Sequence, residues 1–200
     1  MKNSFGQSVC LTLFGESHGP AVGAVLDGLA PGLPVDASAI ERQLARRRPS
    51  DADTPRRERD RFEILSGAFN GSTTGTPLCI VVYNEDAQSR GYVYGLARPS
   101  HADYAASRKY HGFEDYRGGG HFSGRVTAAL VAAGGVLLPA LERIGIRIGT
   151  HVLRCAGVSD APFTDPEREL AALADKRFPV LDDACGARMQ ARILEARDAL

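Results

Sequence analysis

Residues 117–125 have the sequence Arg-Gly-Gly-Gly-His-Phe-Ser-Gly-Arg, and the apolar residues after them recur every three or four positions. That spacing is typical of a helix with a buried face, so it predicts a long helix that begins near Ser123 and is kinked at Pro139. The three glycines let the backbone approach a ligand closely, and the N–H groups of a helix start attract phosphate or carboxylate. The apolar positions of the helix are Val126, Ala129, Leu130, Ala133, Leu137, Leu141 and Ile144.

The glycine-rich segment is neither of two familiar nucleotide-binding motifs. It lacks the Gly-Lys-Ser/Thr of a Walker A loop, and it does not match the dinucleotide-binding fingerprint. Two interpretations remain open for it. Either it is an anion-binding helix start, in which Ser123 both caps the helix and contacts the ligand, or it is an ordinary glycine-rich connector.

Outside this segment, alternating apolar residues predict strands, and a period of three to four residues predicts helices. Strands 62–69 and 78–83 are expected to pair as a hairpin, whereas residues 84–120 form loops of the kind that carry function. We expect a mobile, charged surface loop at about 49–61 and no internal domain boundary within residues 1–200. The predicted strands are 9–14, 23–27, 62–69, 78–83 and 144–152, and the predicted helices are 36–48, 123–144 and 187–199.

The composition argues against several classes of protein. The 24 Lys and Arg residues balance 24 Asp and Glu residues, so the molecule has no overall field that would gather nucleic acid or an anionic membrane. Its four cysteines are scattered without a Cys-x-x-Cys pair, which argues against a zinc site and a disulfide framework. No apolar stretch approaches the ~20 residues of a membrane span, and no secretory signal is seen. We therefore expect a cytoplasmic protein without a metal.

Three further clusters offer chemistry. Residues 15–19, Gly-Glu-Ser-His-Gly, place His18 at the end of a strand, where it either faces a cleft or caps a turn. Eight arginines lie between Arg42 and Arg61 among several carboxylates, which is either a mobile anion clamp or a solvated surface whose charges compensate one another. Residues 98–104 offer a guanidinium, an imidazole, a carboxylate and a phenol in one short loop.

Considered together, these segments resemble one family, chorismate synthase. The resemblance spans essentially all 200 residues, and its motifs occur in the family's order and at near its spacing. The motifs that carry it are Phe14-Gly15-Glu16-Ser17-His18-Gly19 with Asp27-Gly28, Arg46-Arg47-Arg48-Pro49, Leu65-Ser66-Gly67 with Thr73-Thr74-Gly75-Thr76, Arg98-Pro99-x-His101-Ala102-Asp103-Tyr104, and Asp115-Tyr116-Arg117-Gly118-Gly119-Gly120 followed by Ser123-x-Arg125.

The resemblance implies an α+β fold, a sandwich of helices between antiparallel sheets, assembled as a homotetramer. It also implies a carbon–oxygen lyase of the shikimate pathway of aromatic amino acid biosynthesis. Such an enzyme converts 5-enolpyruvylshikimate 3-phosphate to chorismate by 1,4-anti elimination of phosphate. The family needs reduced FMN, which lends electron density to the substrate and receives the proton. NADPH would be needed only if the protein reduces its own flavin, and since no dinucleotide fingerprint is present we expect an external reductase.

The resemblance implies roles for individual residues as well. His18 matches the family's general acid for the departing phosphate, and His101 matches the histidine placed to protonate the reduced flavin. The implied contacts to the substrate's anions are Ser17, Arg47, Arg98, Ser123 and Arg125. The implied cofactor contacts are His121, Phe122 and Ser123 for FMN and Arg47 for NADP.

The chain departs from the family pattern in three respects. His121-Phe122 stand where the family usually has Arg-Ser, and the second arginine expected after Arg47 falls on Asp53 or is missing. The family's C-terminal portion, with its Arg-Asp signature and catalytic aspartate, is absent from these 200 residues. We therefore expect no turnover from residues 1–200 alone. The alternatives are a non-catalytic anion-binding or oligomerisation module and, disfavoured because it leaves the histidine motifs unexplained, a generic phosphate-binding enzyme.

Overall fold

The computed structural model of the chain describes residues 2–48, 58–174 and 176–199. These residues pack into two compact units, 1–140 and 141–200, whereas the sequence indicates no internal boundary. The second unit has buried residues of its own, among them Leu173, Val180 and Met189. Because these lie in short, separated elements, no continuous hydrophobic pattern marks the division in the sequence.

The described residues contain nine strands and five α-helices. The strands are β1 (Ser4–Phe5), β2 (Cys10–Gly15), β3 (Ala21–Asp27), β4 (Phe62–Ser66), β5 (Ala68–Phe69), β6 (Ser72–Thr73), β7 (Leu78–Tyr83), β8 (Arg154–Cys155) and β9 (Val158–Ser159). The helices are α1 (Ala37–Arg47), α2 (Asp103–Tyr110), α3 (Thr127–Glu142), α4 (Pro166–Leu173) and α5 (Asp183–Asp198).

The first unit is built on a five-stranded antiparallel sheet with the order β1-β2-β3-β7-β4. Along β3, the side chains of Val22, Ala24 and Leu26 are buried in alternation, which is the period of two expected of a strand. Phe14 lies opposite Gly23 in the β2–β3 register, and its ring covers the space that a side chain at Gly23 would need. The predicted α+β class is confirmed, and the other two sheets of the described residues have two strands each.

Helices α1 and α3 supply the rest of this hydrophobic core. The predicted cap is confirmed for α1, because the Asp36 carboxylate accepts a hydrogen bond of 2.8 Å from the Ser38 N–H. Ile40 and Leu44, four residues apart, are fully buried, as are Ala128, Ala129 and Ala132 of α3. The helix α3 continues through Pro139 to Glu142.

Residues 124–142 are long and apolar enough to cross a membrane by length and composition, with a mean hydropathy of 1.6 over the best window. This finding corrects the expectation that no apolar stretch approaches the length of a membrane span. The alanines of this segment pack in the core of the first unit, and 44% of the window is buried.

Two predicted strands are corrected. Strand 62–69 is interrupted at Gly67, where φ is +79° and an added Cβ would lie 2.3 Å from the Leu78 Cα; β4 pairs with β7 as expected, and a separate small hairpin, β5–β6, turns at Asn70. The strand predicted at 144–152 is wrong. Its backbone instead turns back on the end of α3 around Gly145, and it forms no ladder.

The predicted mobile loop at about 49–61 falls largely on residues 49–57, which lie outside the described residues. In its last part, residues 58–61, the side chains of Glu58 and Asp60 are only 5% and 1% exposed, whereas that of Arg61 is 55% exposed. Among the described residues of this charged segment, Asp60 is buried and paired with arginines, whereas Arg59 and Arg61 are exposed.

Two adjacent glycines of α3 allow a matched test of the packing between α1 and α3. An added Cβ at Gly135 would lie 2.7 Å from the Cα of Ile40, whereas one at Gly134 would meet nothing within 4 Å. We expect Gly135→Ala to lower the free energy of unfolding by roughly 1–3 kcal/mol through overpacking. Gly134→Ala should raise it by about 0.5–1 kcal/mol, because alanine is the better helix former. Urea unfolding of both variants measures this, and equal effects would contradict the packing described.

Candidate active site

The three glycines of residues 118–120 bring two histidines from distant parts of the chain together. Gly118 and Gly119 have φ values of 59° and 82°, a backbone conformation that residues other than glycine rarely adopt. An added Cβ at Gly118 would lie 2.3 Å from Nε2 of His18, and one at Gly119 would lie 2.3 Å from Cε1 of His101. Consecutive residues of one turn therefore hold the two predicted catalytic imidazoles against the backbone.

The turn after β2 is fastened to the glycine segment through Ser17. The Ser17 N–H donates to the Gly120 carbonyl over 3.1 Å, and its hydroxyl donates to the Gly118 carbonyl over 3.2 Å. The residue is fully buried. This anchoring fixes the backbone that carries His18.

Two residues of the long loop before α2 orient the His18 ring. The Nδ1 atom of His18 lies 2.9 Å from the hydroxyl of Ser89. Tyr92 meets the ring edge-on, with centroids 5.2 Å apart, and its own face lies 5.2 Å from the Arg98 guanidinium. Sequence reasoning singled out neither Ser89 nor Tyr92, although both fall in the aperiodic segment 84–120.

Asp103, the first residue of α2, organises the other imidazole. Its carboxylate accepts two hydrogen bonds of 2.8 Å from the Arg98 guanidinium, one to each oxygen, and lies 2.7 Å from Nδ1 of His101. The Arg98 guanidinium also lies 3.1 Å from Nδ1 and 3.3 Å from Nε2 of His101, so Arg98 and Asp103 together contact the ring. The hydrogen bonds from Arg98, opposed by burial, hold the pKa of Asp103 far below its ordinary value, so it remains an anion.

The segment after the glycines packs against the end of β2. Nδ1 of His121 lies 2.9 Å from the Gly15 carbonyl, and since that oxygen only accepts, Nδ1 is the donor. The Phe122 ring packs edge-on against Tyr110. Both line a cavity of about 330 Å³ that is also walled by Phe14, Phe113, Tyr110 and the carboxylates Glu16, Glu114 and Asp115. Ser123 accepts from the Arg125 N–H, as the predicted cap would, and a short 3₁₀ turn precedes α3.

Two of the predicted anion-binding arginines meet on one buried carboxylate. Arg47 lies 3.2 Å from Asp60, and Arg125 makes a short ion pair with the same group. The Arg125 side chain is 4% exposed, against 20% for Arg47. Burial and the neighbouring Arg125 charge lower the pKa of Arg47, whereas Asp60 opposes this change.

The predicted site residues thus fall into three groups. Ser17, His18, Arg98 and His101 surround the glycine turn, while His121, Phe122 and Ser123 follow it. Arg47 and Arg125 both form ion pairs with Asp60. Sequence reasoning missed Asp60, because the charged segment around it suggests a solvated loop. None of these contacts tests the predicted ligand roles, which stay predictions.

The comparison with protein families is decisive on kinship. The family model described as chorismate synthase matches residues 9–200. This chain belongs to the chorismate synthase family. It is 43% identical over 198 residues to a chorismate synthase of Korarchaeum cryptofilum and 45% identical over 199 residues to one of Desulfatibacillum aliphaticivorans. These alignments cover 96% and 98% of the chain but 54% of each relative.

The fold agrees with this kinship. A solved crystal structure of chorismate synthase superposes with a TM-score of 0.73 at 26% sequence identity, over 96% of this chain and 54% of that one. The chain therefore spans about half the length of the chorismate synthases that it matches.

The Asp103 pair gives a pH-dependent contribution to stability. Its folded-state pKa is depressed, so the stabilisation is fully present above the ordinary value of 3.8 and is lost as the pH falls below it. We expect Asp103→Asn to lower the free energy of unfolding by roughly 1–2 kcal/mol at pH 7. The difference from wild type should shrink between pH 4 and pH 3.

Chemical unfolding at a series of pH values measures this difference. The control is Asp27→Asn, at an exposed position at the end of β3. A difference for Asp103→Asn that is the same at pH 7 and pH 3 would show that the carboxylate contributes no charge-dependent stability.

Proposed function

We propose that the protein to which this chain belongs removes phosphate from 5-enolpyruvylshikimate 3-phosphate to form chorismate. The observation that carries the proposal is the presentation of His18 and His101 by two consecutive glycines in a chain of the chorismate synthase family. Two imidazoles in one turn can each move a proton, and the neighbouring cations suit a substrate with one phosphate and two carboxylates.

His18 is proposed as the acid that assists the departing phosphate. Ser89 contacts its Nδ1, and its Nε2, which faces Gly118, is proposed to carry the proton to the leaving oxygen. Protonation of that oxygen as the carbon–oxygen bond breaks avoids the release of a fully charged anion. Ser17 supports this role by fixing the backbone of the turn.

His101 is proposed as the second acid. Asp103 lies 2.7 Å and Arg98 lies 3.1 Å from its Nδ1, and these contacts hold the ring beside Gly119, where we propose that it transfers a proton. Arg98, 37% exposed, keeps part of its guanidinium accessible and is proposed to bind a substrate anion. We propose the same for Arg47 and Ser123, which lie at a helix end and a helix start.

The residues around the 330 Å³ cavity fit the ring system of a flavin. Phe122, Tyr110 and Phe113 give it aromatic walls, and His121 stands at its edge. The carboxylates Glu16, Glu114 and Asp115 suit polar ring edges rather than a phosphate, so the flavin phosphate would need cations elsewhere. Reduced FMN, when bound, would supply electron density while the allylic phosphate leaves.

Further properties of the whole protein are proposed on the same kinship. We propose that the whole protein is a cytoplasmic homotetramer and that it receives reduced flavin from an external reductase. NADPH, with its implied contact at Arg47, would be needed only if the protein reduces its own flavin. The alternative is a non-catalytic anion-binding or oligomerisation module, which would bind phosphate without turning the substrate over.

The proposal is tested by an anaerobic assay with 5-enolpyruvylshikimate 3-phosphate and dithionite-reduced FMN, following phosphate and chorismate. We expect turnover by the full-length gene product and none by residues 1–200 alone. In the full-length protein, His18→Gln and His101→Gln should each lower kcat by roughly 10²–10⁴-fold, the usual contribution of a general acid.

The matched control is His111→Asn at the end of α2, where φ is +58° and asparagine is tolerated. It should stay within about threefold of wild type, the range of a neutral surface change. Phosphate binding without turnover by the full-length protein would favour the alternative module.

A further inference from the structure

We infer that Asn84 is a positioning residue that ties the buried Arg125 to the turn carrying Ser17 and His18. The inference deepens the proposed function and rests on it for its kinetic consequence. Its structural content, a fixed distance between Arg125 and the His18 turn, stands on contacts of this chain alone.

The amide group of Asn84 holds the two ends of that turn. Its Nδ2 donates to the Glu16 carbonyl over 3.0 Å and to the Gly19 carbonyl over 2.8 Å. These two residues flank Ser17 and His18 directly. The Asn84 backbone N–H donates over 3.0 Å to Pro20, the next residue, so one residue at the end of β7 closes the whole turn.

The other side of the same amide is engaged by Arg125. Its Oδ1 accepts from Nε of Arg125 over 2.8 Å. The orientation of the amide is fixed by its partners, because carbonyl oxygens only accept and a guanidinium only donates. Asn84 therefore uses both of its Nδ2 protons and its oxygen in a single chain of hydrogen bonds.

Arg125 can serve as the fixed end of this series of hydrogen bonds, because several other contacts hold its guanidinium in place. Besides Asn84, its guanidinium binds Asp60, donates to the Tyr83 carbonyl over 2.8 Å and lies 3.9 Å from Glu58. With only 4% of the side chain exposed, moving it would uncover a buried charge. In this arrangement Arg125 is linked through Asn84 to the turn that carries His18.

The consequence for the reaction is geometric. Without the two Nδ2 donors, the Gly19 carbonyl loses its Asn84 partner and the Glu16 carbonyl keeps only the Gly19 N–H, so the turn is held by fewer contacts, chiefly those of Ser17 and the Asn84 backbone. A displacement of about 1 Å at a proton-transferring group costs up to roughly 100-fold in rate. The substrate-binding cations lie on other elements, so the loss falls on kcat.

Two substitutions separate the two halves of the amide. Asn84→Asp keeps an oxygen for Arg125 but replaces the two donors by an acceptor that faces two carbonyls. Asn84→Ala removes both halves. The matched control is Asn70→Asp in the exposed β5–β6 turn, where φ is +48° and aspartate is tolerated.

The full-length gene product carries each substitution in the anaerobic assay, with thermal unfolding measured in parallel. We expect both Asn84 variants to lower kcat about 10–100-fold with KM within about threefold, and Asn70→Asp to change neither. A kcat within threefold of wild type, or a parallel loss of cooperative unfolding, overturns the positioning role.

Amide hydrogen exchange judges the inference apart from the proposed function. The N–H groups of Ser17 and Gly19 are hydrogen-bonded in the turn and should lose protection at least about tenfold in both Asn84 variants but not in Asn70→Asp. Unchanged protection overturns the inference. If the wild-type protein turns over no substrate while protection is lost as expected, the proposed function fails and the structural tie stands.

Discussion

The buried carboxylate of Asp60 is the constraint on which the rest of the site depends. Its side chain is 1% exposed and faces Arg47 from α1 and Arg125 from the short 3₁₀ turn before α3. A charge buried to this degree is tolerated only while it is paired, and removing one partner leaves the other uncompensated. Asp60 thereby connects the segment before β4 to α1 and to the 3₁₀ turn before α3. Arg125 is in turn hydrogen-bonded to Asn84, which holds the turn that carries His18.

The glycine turn, residues 118–120, allows the backbone to approach two imidazole rings closely. Positive φ values at Gly118 and Gly119 let the backbone pass under His18 and His101 where any side chain would collide with the rings. Ser89 and Asp103 then engage one nitrogen of each ring. A rigid charged cluster and a bare backbone turn together define where two imidazoles stand, which is the arrangement that proton transfer at a bound anion requires.

Sequence reasoning reached the parts of this architecture that depend on local chemistry. The Asp36 cap and the apolar period of α3 follow from the residue types at those positions. It failed where tertiary contacts decide. Asp60 stands among arginines in a segment that suggests a solvated loop, Asn84 is an ordinary residue after a strand, and the isoleucines at 144–148 have strand propensity without a partner strand. Charge and propensity carry no information about which groups will meet.

A double-mutant cycle between Asp60 and Arg125 tests most directly whether their pair anchors the site. Asp60→Asn, Arg125→Gln and the double variant would be compared by the free energy of unfolding. Each single substitution should cost about 3–5 kcal/mol, because it leaves the buried cluster of Asp60, Arg125 and Arg47 with an unbalanced charge. The double variant should cost clearly less than the sum, with a coupling of at least about 1.5 kcal/mol. Additivity within about 0.5 kcal/mol would contradict the anchoring role of the pair.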